Sequence, residues 1–342
     1  MAMKSMSIVI ATFNSERTLP RVLASIRRQV YPKNLIDILV VDGGSTDKTI
    51  PIAKKYGCRV LHNPRTVPAW AKYIGYKEAK GKYLMYLDSD EVIVHTNSLK
   101  RKAAVLELSN SVRAVTGSGY RNPRGYSILN QYVNEFGDPF SFFIYRLSKG
   151  ESFFVPSMKE RYHTVEDNTD HVVFDFFGIA QLPIFELVAM GSMVDREYIR
   201  KQFPHVDLEP GLIPHLFYLL ITKRAQICII NNDPLLHYSA NSWSGYLRKI
   251  RSRIVNNVFT SAKEGFRGRD ELNNANPLKK YLFIPYALTL IWPLFDALYL
   301  SISRKNAGYL LHVPLSLYTA FLILYYTGMR SVGVRYSAAR YG

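Results

Sequence analysis

Short apolar runs alternate with amphipathic segments through the first third of the chain. The apolar runs are rich in Val, Ile and Leu, which indicates buried strands. Between them, Leu19, Val22 and Ile26 recur at helical spacing, and residues 67–80 and 97–108 predict further helices. Strands that alternate with helices predict an α/β fold with a mainly parallel sheet and right-handed crossovers. The predicted strands are residues 7–13, 36–41, 58–62, 82–87 and 113–118.

The last quarter of the chain carries two long apolar runs. Residues 281–303 contain one charged residue, Asp296, and residues 308–329 contain none. Each run reaches the roughly 20 apolar residues that a membrane-spanning helix needs, and only residues 304–307 separate them. This pattern predicts a two-helix transmembrane hairpin. The alternative, a buried or interfacial pair of helices, is favoured by Asp296 and by prolines such as Pro293.

Residues 241–260 are typical of a basic amphipathic helix, the kind that lies on a membrane surface. A helix packed into the protein core is an equal alternative, because an apolar stripe alone does not separate the two. Its apolar face consists of Trp243, Leu247, Ile250, Ile254 and Val258. The predicted domains are therefore a catalytic domain at 1–240, an interface helix and linker at 241–278, and the hairpin with a basic tail at 279–342.

Composition narrows the class of partner. The chain has 342 residues, 44 Lys and Arg against 27 Asp and Glu, a formal charge of +17, and 48% hydrophobic residues, which excludes a disordered chain. Its two cysteines exclude a disulfide framework. The basic excess suits nucleic acid, anionic lipid or a phosphorylated substrate. Apolar runs favour lipid and phosphate, and no zinc-finger, RNP-like or helix-turn-helix signature supports nucleic acid.

The sequence also predicts how the chain meets the membrane. No secretory signal is recognisable before the first apolar run, so we expect residues 1–270 to stay cytoplasmic. Five basic residues flank the hairpin on its terminal side and two lie in its loop, which favours both ends inside. The expected location is the cell membrane, crossed twice.

Polar clusters follow three of the predicted strands, at Thr12–Asn14, Asp42–Asp47 and Asp88–Asp90. In an open α/β sheet, ligands bind at the carboxyl ends of the strands. Asp42 can accept hydrogen bonds from a base or ribose, and Gly43 permits close approach of a ligand. Two carboxylates around Ser89 suit Mg²⁺ or Mn²⁺ carrying a diphosphate.

Four segments in this order resemble glycosyltransferase family 2, which has the GT-A fold: SIVIATFN, VVDGGSTDKT, EAKGKYLMYLDSD and MGSMVDREYI. The resemblance implies transfer of a sugar from a nucleotide-diphospho-sugar with inversion at the anomeric carbon. It assigns Thr12 and Asp42 to the nucleoside, Asp88 to the sugar–ribose side and Asp90 to the metal. The predicted nucleotide-sugar contacts are Thr12, Asn14, Asp42, Gly43, Asp88, Ser89, Asp90, Arg248 and Arg251. The predicted metal ligands are Asp88, Asp90 and His237, with Mn²⁺ or Mg²⁺ as cofactor.

The acceptor hydroxyl needs a base, which the family supplies from a carboxylate often present as Glu-Asp. The matching region here, residues 203–217, reads FPHVDLEPGLIPHLF and lacks that pair. Glu209 is the favoured candidate because it precedes Pro210, where a helix can begin, and Asp207 is the next. Either residue can instead be an acid that complements a helix N-terminus.

The predicted function is an inverting, metal-dependent transferase that moves mannose from GDP-mannose to a polyprenyl phosphate or lipid-linked oligosaccharide at the cytoplasmic face. The choice of mannose rests on a resemblance to dolichyl-phosphate mannose synthases and small cellulose-synthase-like enzymes. Two alternatives stay open, a UDP-sugar-dependent transferase or small processive polysaccharide synthase, and a non-catalytic nucleotide-sugar-binding protein. A sugar-1-phosphate nucleotidyltransferase is disfavoured, because its first loop is rich in glycine and ATFNSERT has none.

Overall fold

The computed structural model describes residues 3–240, 242–259 and 278–336. The strands are β1 (Met6–Thr12), β2 (Ile36–Asp42), β3 (Arg59–His62), β4 (Tyr83–Asp88), β5 (Glu91–Ile93), β6 (Val112–Thr116), β7 (Tyr120–Arg121), β8 (Thr164–Asp167), β9 (His171–Phe174), β10 (Ser192–Asp195), β11 (Gln226–Ile230) and β12 (Leu235–His237). The helices are α1 (Leu19–Arg27), α2 (Thr49–Lys55), α3 (Pro68–Glu78), α4 (Ser98–Leu108), α5 (Ile128–Phe136), α6 (Pro139–Tyr145), α7 (Phe154–Arg161), α8 (Arg196–Gln202), α9 (Leu216–Thr222), α10 (Trp243–Phe259), α11 (Phe283–Leu288), α12 (Ile291–Ser303) and α13 (His312–Ser331).

Nine strands form the central sheet, in the order β3-β2-β1-β4-β10-β6-β11-β9-β8. The first four strands are parallel, as the alternation of strands and helices predicts. Beyond β4 the sheet is mixed, because β10 runs antiparallel to both of its neighbours and β9 also runs antiparallel to both of its own. The prediction of an α/β fold is confirmed, and the prediction of a mainly parallel sheet holds only for its first half. The reason is that β8, β9 and β10 come from a region whose pattern carries no clear strand signal.

A second, three-stranded sheet has the order β5-β12-β7. The antiparallel pairing of β12 with β5 sets His237 opposite Glu91. Because Glu91 follows Asp88-Ser89-Asp90 directly in the chain, this small sheet carries His237 to the end of β4. The strands are too short for periodicity to predict them.

Helix α3 packs closely on the central sheet, and its Gly75 lies against Val9 of β1. A methyl group at Gly75 would lie 2.3 Å and 2.6 Å from the two γ-carbons of Val9, closer than any carbon contact. Val9 is itself buried and held in register by β2 and β4. The helix can therefore approach the strand only because residue 75 has no side chain.

The C-terminal apolar runs fold differently from the predicted hairpin. The first run breaks into α11 and α12, and the helical segments Lys279–Leu288 and Ile291–Ser303 meet at 89°. Leu290, with φ of 60°, makes that bend. Residues Ala307–Ser331 form one helix that is long and apolar enough to cross a membrane, although 44% of its most apolar window is buried inside the protein. A pair of straight spans is therefore not confirmed.

The amphipathic helix predicted over residues 241–260 is α10, which extends over Trp243–Phe259. Its buried residues include Ile250 and Ile254, which belong to the predicted apolar face and pack with residues of α5 and α13. Trp243, predicted on the same face, is 51% exposed. Of the two alternatives, the structure therefore has the core-packed helix, because α13 covers the apolar stripe that the sequence leaves open.

Gly75→Ala tests the contact between α3 and β1. We expect it to lower the free energy of unfolding by about 1–3 kcal/mol, because the added methyl overpacks a site that cannot widen without moving a sheet strand. The matched control is Gly328→Ala in α13, where nothing lies within 4 Å of the added carbon. That change should be neutral or stabilise by up to about 1 kcal/mol through helix propensity. Urea unfolding followed by circular dichroism measures both, and equal stability of the two variants would contradict the contact.

Candidate active site

The carboxyl ends of β1 and β2 are joined through Asp42. Thr12 and Asp42 are register partners at the strand ends, and the Thr12 hydroxyl donates to Asp42 Oδ1 at 3.0 Å. Asp42 also accepts the backbone N–H groups of Gly44 at 3.0 Å and Ser45 at 2.8 Å. Gly44 has φ of +92°, a backbone angle that favours glycine, and it lets the chain turn back over the carboxylate. Asp42 therefore organises the turn, and its carboxylate is buried beneath it.

Asn14 ties the first loop to the second. Its backbone N–H donates to the Ser45 hydroxyl at 2.8 Å, and its side-chain oxygen accepts the N–H of Thr46 at 2.9 Å. Both loops therefore move as one unit beside the ends of the parallel strands. The sequence predicts Asn14 and Asp42 as nucleotide contacts. In the structure, their side chains form hydrogen bonds that hold the two loops together.

A buried cation stands beside Asp88. Lys72 Nζ lies 2.8 Å from Asp88 Oδ1, and the lysine side chain is 10% exposed. Burial works against the charged ammonium, but Asp88, Glu91 and Glu186 outweigh it and raise the pKa of Lys72 above its ordinary value. The ammonium is therefore charged at neutral pH. Asp88 was predicted as a metal ligand, and the structure pairs its carboxylate with Lys72 instead of with the other two predicted ligands.

Glu91 fixes the turn that carries the three residues Asp88-Ser89-Asp90. It accepts the backbone N–H of Asp88 at 3.1 Å and that of Met190 at 3.0 Å, and the Tyr120 hydroxyl also donates to it. Burial and the nearby Asp88 carboxylate raise the pKa of Glu91 above its ordinary value. The Ser89 hydroxyl accepts from that of Ser15 at 3.0 Å, which links this turn to the first loop.

Asp90 and His237 face each other across the end of the small sheet. Asp90 Oδ1 and His237 Nε2 are 3.6 Å apart, beyond hydrogen-bond length. Burial alone would raise the pKa of Asp90, but His237 and Lys249 lower it well below its ordinary value. The His237 ring stacks on Tyr120 with centroids 4.5 Å apart, which holds its orientation.

This pair fits a divalent cation. Carboxylate oxygen and imidazole nitrogen are both ligands for Mn²⁺. Because Asp90 and His237 are not hydrogen-bonded to each other, each can offer a lone pair to a metal. Within the described part of the chain, no three His, Cys, Asp or Glu side chains converge on one point. Protein ligands alone would therefore leave most of the coordination sphere to other groups, such as phosphate oxygens.

Lys72, Asp88, Asp90 and His237 line a cavity of about 400 Å³, which is within the size range of small-ligand sites. Thr12, Gly43, Ser89 and Arg248 line it, as the sequence predicts for a nucleotide-sugar site. The lining is predominantly cationic. Its charged side chains are Lys72, Lys149, Arg248, Lys249 and Arg253 on the basic side and Asp88, Asp90 and Glu186 on the acidic side.

Five predicted residues do not line this cavity: Asn14 and Asp42, which hold the two loops, and Arg251, Asp207 and Glu209. Arg251 Nε donates to the Tyr326 hydroxyl at 2.5 Å, on the side of α10 that faces α13. The backbone oxygen of Asp207 accepts from the Tyr73 hydroxyl at 2.7 Å, and its carboxylate pairs with Arg200 at 3.3 Å. Glu209 precedes the 3₁₀ helix Pro210–His215, which packs against α3.

Sequence reasoning missed most of the basic lining. Lys72 lies among the buried residues of α3, and a lysine on an apolar helix face is a usable signal for such a site. Lys249 Nζ donates to the Ser239 backbone oxygen at 2.6 Å, and burial lowers its pKa although Asp90 opposes that effect. Glu186 lies 3.3 Å from Lys149 Nζ in a segment without periodicity, so only the fold brings it to the cavity.

The comparisons with known proteins agree with this geometry. Residues 7–158 match the family model described as Glycosyl transferase family 2. This stretch, somewhat less than half of the chain, is therefore similar to that family. The matched residues contain Thr12, Asp42 and Asp88-Ser89-Asp90, whereas His237 and α10 lie beyond them.

The fold is GT-A-like. The chain is similar to residues 1–349 of Staphylococcus aureus TarS, with a TM-score of 0.50 and 15% identity, over 97% of this chain and 93% of that structure. Staphylococcus aureus poly(ribitol-phosphate) beta-N-acetylglucosaminyltransferase TarS is 30% identical over 129 residues, 34% of this chain and 22% of that protein.

Two further relatives match shorter stretches. Glucosyl-3-phosphoglycerate synthase of Petrotoga mobilis is 32% identical over 89 residues, 25% of this chain and 27% of that protein. Dolichyl N-acetyl-alpha-D-glucosaminyl phosphate 3-beta-D-2,3-diacetamido-2,3-dideoxy-beta-D-glucuronosyltransferase of Methanococcus voltae is 32% identical over 90 residues, 24% of this chain and 28% of that protein. The matches thus span between a fifth and a third of each curated relative.

Lys72→Met tests the buried cation. Removing the ammonium leaves the Asp88 carboxylate uncompensated at the cavity wall, so we expect the affinity for a nucleoside diphosphate to fall roughly tenfold or more. Lys77→Met is the matched control, since Lys77 lies on the exposed side of the same helix. Isothermal titration with UDP and GDP measures both variants, and equal affinity in both would remove Lys72 from the site.

Proposed function

We propose that this protein transfers a sugar from a nucleotide-diphospho-sugar to a phosphorylated acceptor, with inversion at the anomeric carbon. One observation carries the proposal, the cationic cavity at the ends of β1, β2 and β4 within the stretch that is similar to family 2. Five basic and three acidic side chains line it, and this net positive lining suits a diphosphate. Neighbouring Asp90 and His237 supply the donor atoms for a metal that would share that diphosphate.

The nucleoside end of the donor would lie beside the first two loops. Thr12 and Gly43 line this end, together with Asn63 and Thr66. The Thr66 hydroxyl donates to the Gly43 backbone oxygen at 2.9 Å, and a methyl group at Gly43 would lie 3.2 Å from the Thr66 methyl. A residue larger than glycine at position 43 would therefore crowd this wall.

The diphosphate would lie toward α10. Arg248 has no ion-pair partner in the part of the chain that the structure describes, so its charge is available to a ligand. Lys249 is the next residue along the chain, and its ammonium interacts electrostatically with the Asp90 carboxylate. Asp90 and His237 would hold Mn²⁺ or Mg²⁺, which neutralises the charge that builds on a departing nucleoside diphosphate.

In an inverting transfer, the acceptor oxygen bonds to the anomeric carbon as the bond to the diphosphate breaks, and a carboxylate takes the acceptor's proton. We propose Glu186 for that role. It is the one cavity-lining carboxylate outside the Asp88–Asp90 turn in the described chain, and its side chain is 34% exposed. Lys149 Nζ lies 3.3 Å from the Glu186 carboxylate and holds it at the cavity wall.

The sequence-based candidates, Glu209 and Asp207, remain predictions. Asp207 contacts Tyr73 and Lys77, in the later turns of α3. Neither Asp207 nor Glu209 lines the cavity. A base at Glu209 or Asp207 would require that segment to move toward the donor.

Donor and acceptor are the least constrained features. The sequence favours GDP-mannose, whereas the three relatives described above are named for N-acetylglucosaminyl, glucosyl and diacetamidoglucuronosyl transfer. We therefore propose a glucose- or N-acetylglucosamine-type donor ahead of GDP-mannose. All three names include a phosphate on the acceptor side, and the charge of +17 suits such an anion. A polyprenyl phosphate or lipid-linked glycan meets that requirement.

Release of labelled sugar from UDP- and GDP-sugars, with and without native lipid extract, tests the activity. With Mn²⁺ or Mg²⁺ present we expect transfer of label to the organic phase, and chelation by EDTA should stop it. Asp90→Asn should lower turnover roughly 100-fold or more, because the leaving diphosphate loses its metal. Asp170→Asn, an exposed carboxylate paired with Arg101, is the control. Nucleotide binding without turnover of any donor would favour a non-catalytic protein.

Glu186→Gln separates the candidates for the base. We expect donor affinity to stay near normal while transfer falls roughly 100-fold or more, because the amide cannot accept the acceptor's proton. Glu209→Gln and Asp207→Asn, assayed in parallel, should keep most of the activity. If Glu209→Gln loses transfer and Glu186→Gln keeps it, the base is the one that the sequence predicts.

A further inference from the structure

The C-terminal helices α12 and α13 expose many large apolar side chains. On α12, apolar side chains recur with helical spacing on the exposed side, while Pro293, Ala297 and Leu300 are buried. The exposed stripe of α12 consists of Ile291, Trp292, Phe295, Leu298, Tyr299 and Ile302, between 43% and 77% exposed. A surface helix of a soluble protein carries charged and polar residues on the side that faces away from the core, whereas α12 is apolar on both sides.

The next helix repeats the pattern. Leu317, Phe321 and Leu324 of α13 are exposed, whereas His312 and Thr319 of the same helix are fully buried. We call the exposed stripe of α12, together with Leu317, Phe321, Leu324 and Tyr325 of α13, the apolar face. Large apolar side chains exposed on two helices that pack against each other mark a site for a membrane or another protein.

The polar residues of this region face the catalytic domain. Tyr286 donates to Asp296 at 2.6 Å and contacts His312 Nε2 at 2.7 Å, and His312 Nδ1 contacts the Tyr132 hydroxyl of α5 at 2.5 Å. Arg146 pairs with the same Asp296 carboxylate. Asp296, the one charge in the first apolar run, therefore anchors the helices to the domain.

These contacts argue against α13 as a span. Near its start His312 meets Tyr132 of α5, and near its end Arg330 donates to the Val258 backbone oxygen of α10 at 2.7 Å. Those two points are about 27 Å apart along a helix, nearly the thickness of a bilayer's hydrocarbon core. Both α5 and α10 also contribute residues to the cavity. If α13 crossed a bilayer, it would draw part of the polar site into the hydrocarbon.

The excess of basic residues around the apolar face favours an anionic bilayer as its partner. Residues 278–336 contain six Lys and Arg and one acid, Asp296, which is turned inward. Lys279 and Lys280 precede α11, and Lys305 follows α12. Amphipathic aromatic side chains such as Trp292 and Tyr299 suit the boundary between headgroups and acyl chains. Exposed apolar and aromatic residues flanked by basic ones are typical of a helix that lies in an anionic membrane surface.

We propose that the apolar face sits in one leaflet of an anionic membrane without crossing it, and that it holds the cavity beside the lipid surface. Membrane docking through this face does not depend on the proposed transferase activity. The prediction of two spans is replaced by a single-leaflet attachment, which uses the same apolar residues from their exposed side.

Flotation of the full chain with vesicles of equal parts phosphatidylcholine and phosphatidylglycerol tests the surface. The double change Trp292→Glu and Phe295→Glu should lower the bound fraction roughly tenfold or more, since it removes two aromatic side chains that would enter the lipid and adds two negative charges. Leu108→Glu, at an exposed leucine of α4, is the matched control and should bind like the parent chain. Pure phosphatidylcholine should bind the parent chain more weakly.

Circular dichroism checks that the parent chain and the double variant are folded. Sedimentation velocity in detergent-free buffer measures the association state of each. Unchanged flotation of the double variant would overturn the proposal. Loss of a dimer in the double variant, with no change in lipid binding, would assign the face to a second copy of the chain.

Labelling with a membrane-impermeant maleimide separates attachment to one leaflet from the predicted two-span hairpin. Both native cysteines, Cys58 and Cys228, are buried, so Lys54→Cys and Lys305→Cys supply single reactive sites on the domain and after α12. In sealed membrane vesicles from expressing cells that leave Lys54→Cys accessible, we expect Lys305→Cys to label to the same extent without detergent. Labelling of Lys305→Cys only after detergent would show a span and overturn the proposal.

Discussion

The ion pair between Lys72 and Asp88 is the interaction on which the site depends. It joins the start of α3 to the end of β4, and it places a full positive charge within a cavity that also contains three carboxylates. Without this ammonium, Asp88, Glu91 and Glu186 would repel one another in a poorly solvated space. With it, the two loops at the ends of β1 and β2, the acidic turn after β4 and the helix α10 can enclose one anionic ligand.

Two elements from distant parts of the chain complete that enclosure. The small sheet carries His237 from β12 to Asp90, and α10 supplies Arg248, Lys249 and Arg253. Because α10 packs against α13 on its other side, α10 connects the cavity to a helix that carries part of the apolar face. A protein attached to lipid through α12 and α13 would therefore keep its cavity next to the membrane, where a lipid-borne acceptor is concentrated.

The sequence predicts the parallel half of the fold well, because β1, β2 and β4 are buried on both faces and appear as continuous apolar runs that end in polar turns. It predicts Thr12, Gly43, Ser89 and Asp90 near one another for the same reason, whereas His237 and Arg248 are predicted from the chemistry of their side chains. It does not predict Lys72, Lys149 or Glu186, which reach the cavity through tertiary contacts that leave no periodic signal. It also treats Asp296 as an exception within a span, whereas the packing makes that residue an inward anchor.

The most direct test of this site is a crystal of the chain soaked with UDP or GDP and Mn²⁺, with anomalous scattering recorded for the metal. We expect an anomalous peak bound by Asp90 and His237, with the diphosphate beside it and toward Arg248 and Lys249. A nucleotide bound elsewhere, or a metal peak away from Asp90 and His237, would contradict this expectation.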